Sequence, residues 1–222
     1  MRDSKKEFEN IKELIAKGSY DEVKPLLKQY LSENTENAEA YKLYGNIFAY
    51  TGFLAKARLI WRGALKKFPE NTDFMYNLAL SNYLQKRPAR SYLKNILKIS
   101  PNDTGAMSML AQIAKDDGRY DVAIFYWKKI LKIEAENVEV MNNIGVTYAI
   151  QGSFGKARVW YKKALELDEN YALAHYNLAT ALYELGENAE SLEHAEKAAE
   201  LDPATHLHQA SSLIKQINRK LS

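Results

Sequence analysis

Apolar residues recur at steps of three and four along nearly the whole chain, and strand-like alternation is almost absent. That period belongs to amphipathic helices with one buried face. The helical blocks come in pairs. Gly18, Gly52, Gly118, Gly152 and Gly186 each divide one block from its partner, and Pro69, Pro101 and Pro203 separate one pair from the next. Glycine suits the left-handed backbone that ends a helix, and proline follows where a second helix must stop. The glycines lie 34 residues apart, or 66 where one unit is two residues short. The chain thus reads as six units, 4–37, 38–71, 72–103, 104–137, 138–171 and 172–205, with an amphipathic tail at 206–222.

Small residues recur at fixed places within the units. Gly45, Ala79, Ala111, Gly145 and Ala179 hold the eighth position, and Ala57, Ala89, Ala123 and Ala157 the twentieth. Small side chains on facing surfaces let two helix axes approach to about 8 Å. Trp61, Leu93, Trp127 and Tyr161, with Phe48 and Tyr148, are the bulky partners expected to fill the rest of the core. This order of large, small and turn positions resembles the tetratricopeptide repeat (TPR) family, a 34-residue helix–turn–helix repeat. The resemblance covers residues 4–205. It implies an all-α, right-handed superhelical solenoid of six TPR helix–turn–helix repeats, one continuous domain over 1–222, closed by a C-terminal capping helix at 206–222. Unit 4–37 is the most degenerate, with Ile11 and Val23 in the small slots, as a terminal unit can be. In unit 72–103, Lys86-Arg87-Pro88 replaces the glycine turn, and Pro88 is expected in the first turn of the second helix. On the tail, Leu207, Ala210, Leu213, Ile214 and Ile217 share one side and are expected to cover the open end of the stack.

Composition narrows the chemistry. Cysteine is absent, which removes disulfides, thiolate metal sites and a cysteine nucleophile. Thirty-one basic and 28 acidic residues leave a net charge of only +3. No apolar run reaches membrane-spanning length, and the charged start leads into an amphipathic pattern without a secretory h-region, so a cytoplasmic location is expected. Four histidines invite a metal reading. His206 and His208 are two apart and face different ways on a helix, His175 sits in the packing slot of Tyr41, Met75, Met107 and Met141, and His194 stands alone among acids. No metal, no cofactor and no catalytic constellation are expected, and the chain reads as a non-enzymatic protein.

The resemblance implies that the second, fifth, sixth, ninth and twelfth positions of each first helix look into a concave groove. Mapped onto this chain they include Lys42, Asn46, Tyr76, Asn77, Tyr83, Ser108, Met109, Gln112, Asn142, Asn143, Tyr176, Asn177, Thr180 and Tyr183. Amides both donate and accept, so they suit an extended peptide's backbone, and tyrosines add contact area. The five-residue carboxylate clamp of chaperone-associated members is only half present. Lys42, Asn46 and Asn77 match it, whereas Gly105 and Met109 stand where it needs cations. A second surface is basic. Arg58, Arg62 and Lys66, then Arg90, Lys94 and Lys98, repeat at four-residue steps and are expected to form two exposed rows, in a stretch (56–98) with ten basic and two acidic residues. The last unit is opposite in sign, with Glu190, Glu193, Glu196 and Glu200. Leu59-Ile60, Phe125-Tyr126 and Val159-Trp160 each offer one side chain to pack and one to solvent. The leading reading is an adaptor for a protein or peptide partner. The alternatives are a self-assembling scaffold and a polyanion or nucleic-acid binder using the basic rows, with nucleic acid ranked below an acidic protein and no membrane insertion expected.

Overall fold

The helical period is realised throughout. A computed structural model describes residues 4–221, without the side chains of 206, 207, 220 and 221, so the expected contribution of Leu207 and the side chain of His206 lie outside the described residues. Thirteen helices account for the described chain: α1 (Ser4–Ala16), α2 (Tyr20–Glu33), α3 (Ala38–Tyr50), α4 (Leu54–Lys67), α5 (Thr72–Leu84), α6 (Arg90–Ile99), α7 (Thr104–Asp116), α8 (Tyr120–Leu131), α9 (Val138–Ile150), α10 (Phe154–Leu167), α11 (Ala172–Glu184), α12 (Asn188–Leu201) and α13 (Pro203–Leu221). There is no strand among the described residues. The first twelve helices fall into the six pairs that the glycine spacing predicts.

Local chemistry sets the ends. Asn37, Asn71 and Asn137 each accept, through the side-chain oxygen, the backbone N–H three residues on, at 3.0 Å, and Asp103 does the same for Ala106 at 2.7 Å. Each satisfies one of the free donors of a helix start. The five turn glycines take φ between +70° and +88°, the left-handed values expected of them. Lys86 takes φ +54° at the same point of the third pair, where an L side chain is strained. Beyond it the expectation for Pro88 fails. Asn82 donates its side-chain N–H to the Pro88 carbonyl at 2.8 Å, residues 87–89 lie outside any helix, and α6 begins only at Arg90. The result is a second helix of ten residues, against fourteen in α4 and α10.

The chain forms two compact units, Met1–Ala106 and Met107–Ser222, dividing within α7. In the first unit each helix packs on the next from α1 to α6. Phe8, Ile11, Val23, Leu27 and Tyr30 form one core and Trp61, Phe74, Leu78 and Phe48 another. In the second unit α8 to α13 pack in sequence, and α13 also touches α11. Ala210, Leu213 and Ile217 of α13 are buried, with Leu213 and Ile217 packed on Ala179 and Ala195, so the tail covers the last repeat as expected. The eighth-position glycines mark close approaches between paired helices. A Cβ on Gly145 would stand 2.7 Å from Cδ1 of Tyr161, and one on Gly45 2.6 Å from Cδ1 of Trp61.

Candidate interaction surfaces

The first helices of successive repeats lie side by side within each unit, and polar side chains tie them. In the first unit Lys42 of α3 pairs with Asp73 of α5 at 2.9 Å, and Asn77 donates to the Asn46 side-chain oxygen at 3.0 Å. Asn46 is exposed, and Lys42, Tyr76, Asn77 and Tyr83 are half-buried. Lys42, Asn46, Tyr76 and Asn77 are thereby brought to one accessible strip across α3 and α5, with Tyr83 two turns further along α5. Lys42, the first cation of the partial clamp, already has a carboxylate partner.

The second unit repeats the motif with less free surface. Asn177 of α11 donates to the Asn142 oxygen of α9 at 2.9 Å, but Asn142 is only 2% exposed. Its placement in an open groove is corrected: it serves as a buried strut between the two helices. Met109 is also buried, so it lines no open groove. Asn143 and Ser108 are half-buried, as is Thr180, whose hydroxyl donates back to the Tyr176 carbonyl. Gln112 donates to Asp116 at 2.7 Å. Tyr176 and Tyr183 are half-buried against the Leu213–Ile217 cluster. The tail helix thus takes up part of the ring surface that the groove reading assigned to a ligand.

The two basic rows are not continuous. Arg62, Lys66, Lys94 and Lys98 are exposed. Arg58 is 5% exposed and donates to the Gln85 side chain at 2.5 Å, so it belongs to the joint with the next repeat. Arg90, the first residue of the shortened α6, is half-buried. Both were expected on the open rows; Arg58, the fifth residue of α4, is drawn inward by its hydrogen bond to Gln85 at the turn of the next repeat, and Arg90 opens the shortened α6. The equivalent arginine in the second unit, Arg158, meets Glu187 at 2.5 Å.

His194 is not alone. Its Nδ1 lies 2.8 Å from Nδ1 of His175, whose Nε2 lies 2.9 Å from the Glu169 carbonyl. A carbonyl only accepts, so His175 carries its proton on Nε2 and accepts from the Nδ1–H of His194. Burial, then the neighbouring His175, push the His194 pKa below the usual histidine value. The hydrogen bond from Lys162 holds Glu190, on the far side of His194, below the usual carboxylate range. No group of three or more metal-ligating side chains converges among the described residues. Among the same residues no helix is long and apolar enough to cross a membrane.

The apolar pairs divide as their spacing predicts. Leu59, Phe125 and Val159 are 67%, 54% and 49% exposed, whereas Ile60, Tyr126 and Trp160 are half-buried. Tyr41, Tyr44 and Ile60 line a shallow cleft beside Leu59.

Comparison with known proteins agrees with this architecture. Tetratricopeptide repeat profiles match residues 45–103, 104–137 and 172–205, and a TPR repeat profile matches 145–186. The chain belongs to the tetratricopeptide repeat family. No curated protein sequence matches it significantly. Among solved structures, a tetratricopeptide repeat protein from Parabacteroides merdae superposes with a TM-score of 0.76 at 15% identity, covering 99% of this chain and 93% of that one. YrrB, described as a TPR protein with an unusual peptide-binding site, gives 0.64 at 18% identity over 83% and 97%. The first TPR of Spaghetti, bound to an HSP90 peptide, gives 0.50 at 21% identity over 53% and 92%. At these identities the likeness establishes the TPR solenoid fold.

Proposed function

We propose that the chain is a non-enzymatic adaptor that holds an extended peptide or a partner's helix against the first helices of its repeats. The observation that carries this reading is the Asn46–Asn77 pair, set on adjacent helices between Lys42 and Tyr76. One N–H of Asn77 is committed to Asn46, which leaves its other N–H, its oxygen and the Asn46 amino group for a peptide backbone. Asn143 and Gln112 offer a smaller set in the second unit. The peptide-binding descriptions of YrrB and of the Spaghetti repeat support the same class of partner. Lys42 is neutralised by Asp73, and Gly105 and Met109 bring no cation, so recognition does not require a free C-terminus. The test is selection from a displayed peptide library, followed by titration of the selected peptides. Asn46→Ala with Asn77→Ala should weaken binding at least tenfold, and amidation of the peptide's C-terminus should not. Unchanged affinity in the double variant would remove this strip from consideration.

Self-association is a second reading, supported by the exposed Leu59, Phe125 and Val159 at one repeat position. Phe125 and Val159 stand on successive repeats of the second unit, and an exposed apolar patch there favours contact with another protein surface. Sedimentation velocity over a concentration series, with Leu59→Glu, Phe125→Glu and Val159→Glu, tests it. A monomer at every concentration rejects it.

A further inference from the structure

Two joints in this chain share one turn geometry but differ in the sign of the charge that follows the turn. Arg58 and Arg158 are each the fifth residue of a fourteen-residue second helix. Each faces the turn of the following repeat, where a residue in left-handed conformation, Lys86 or Gly186, is followed by Arg87 or Glu187. The backbone N–H of Arg87 bonds the Asn82 carbonyl at 2.8 Å and that of Glu187 bonds Leu182 at 2.9 Å, so both side chains leave the same kind of turn. In the later joint the Glu187 carboxylate meets Arg158. In the earlier joint the position of that carboxylate is held by a third cation.

The earlier joint is short of negative charge. Arg58 is buried, and its one protein acceptor is the neutral Gln85 side chain. Among the described residues none of Arg58, Arg62 and Arg87 pairs with a carboxylate. Arg62 stands one turn beyond Arg58 on α4 and Arg87 two residues beyond its partner Gln85, and desolvation, then repulsion from Arg87 and Arg62, lower the Arg58 pKa. Arg62 and Arg87 are exposed, so a ligand reaches the cluster from solvent. Guanidinium groups are matched to carboxylate oxygens in shape and in donor number. Within this same chain the natural occupant of the equivalent place is a glutamate side chain.

We infer that Arg58, Arg62 and Arg87 form a receptor for the carboxylate of an acidic peptide segment on a partner protein, which supplies in trans what Glu187 supplies in cis to Arg158. The site lies at the turn between α5 and α6 and does not depend on the Asn46–Asn77 strip.

The experiment uses the full chain and an acetylated, amidated hexaglutamate peptide, with hexaglutamine as the neutral control. Hexaglutamate should bind and raise the melting temperature, and hexaglutamine should do neither. Arg87→Glu rebuilds the Arg158–Glu187 arrangement. It should weaken hexaglutamate binding at least tenfold and, without any ligand, melt higher than the natural chain. Lys98→Glu reverses a charge of the same surface away from the cluster and should change binding less than threefold. Asn46→Ala with Asn77→Ala should leave hexaglutamate binding intact, which separates this site from the strip. Equal losses in Arg87→Glu and Lys98→Glu would overturn the inference, because a diffuse basic surface explains them. So would an Arg87→Glu protein that melts no higher and binds as before. Tighter binding of a single-stranded oligonucleotide, lost in Arg87→Glu, would overturn the acidic-peptide assignment, as would full stabilisation by inorganic phosphate alone.

Discussion

Replacing Gly145 by Ala should destabilise the protein, although the same change elsewhere in a helix stabilises it. The added Cβ would stand 2.7 Å from Cδ1 and 2.9 Å from Cζ of Tyr161, well inside ordinary contact. Tyr161 is 1% exposed and packed among Leu178, Ala181 and Leu182, and burial pushes its phenol pKa upward, so the ring has little room to retreat. Overpacking of this kind costs about 1–3 kcal/mol. Against it, alanine is better than glycine in a helix interior by about 0.8–1 kcal/mol. Against a buried ring the upper part of the overpacking range applies, about 2–3 kcal/mol, so the net expectation is a loss of about 1–2 kcal/mol, or roughly 2–8 °C in melting temperature for a chain of this size. The control is Gly63→Ala in α4, where an added Cβ meets nothing within 4 Å. That change should stabilise by about 0.5–1 kcal/mol. The third repeat supplies a compatible combination, Ala79 with Leu93. In a Tyr161→Leu background, therefore, Gly145→Ala should turn neutral or stabilising, with a coupling energy of about 2 kcal/mol between the two sites. Urea unfolding followed by circular dichroism measures the natural chain and the four variants. A stabilising Gly145→Ala in the natural background, or a coupling near zero, would refute the steric account.

Three further outcomes are expected. The His194 pKa lies below its unfolded value, so the unfolded chain takes up the proton first; stability conferred by the pair is present above about pH 6.5 and is lost as pH falls towards the folded pKa. His194 also faces Glu190, Glu193 and Lys162; replacing it with Gln should flatten the pH dependence of the melting temperature between pH 5 and 7, and an unchanged slope would show that the pair does not titrate. Lys86→Gly, which relieves a φ of +54°, should stabilise by about 1 kcal/mol, read as a shifted urea midpoint. Asn137→Ala removes the cap on the Val140 N–H and should cost about 1 kcal/mol, with increased amide exchange confined to the first turn of α9.

The repeat made much of the fold legible. A helical period, glycines at a fixed interval and small residues at two fixed positions leave few other ways to bury the apolar stripes. The helix pairs, the left-handed turns and the close approaches at Gly45 and Gly145 follow from the chain itself. So does a division within each apolar pair, because adjacent residues on a helix point about 100° apart, whereas packing decides that Leu59, Phe125 and Val159 are the exposed members and their neighbours half-buried. What a polar side chain meets was decided by residues of another repeat. Arg58 and Arg158 are equivalent in sequence position, yet one faces Gln85 and Arg87 and the other Glu187. His194 finds His175 nineteen residues away, and Asn142 is enclosed by a hydrogen bond from Asn177, thirty-five residues on. Tyr176 and Tyr183 lose open surface to the tail helix, and Pro88 stays outside α6 because Asn82 takes hold of its carbonyl. Periodicity is a property of one helix and is written in its own residues. Exposure and charge pairing are properties of the contact between two repeats, so only the folded arrangement sets them.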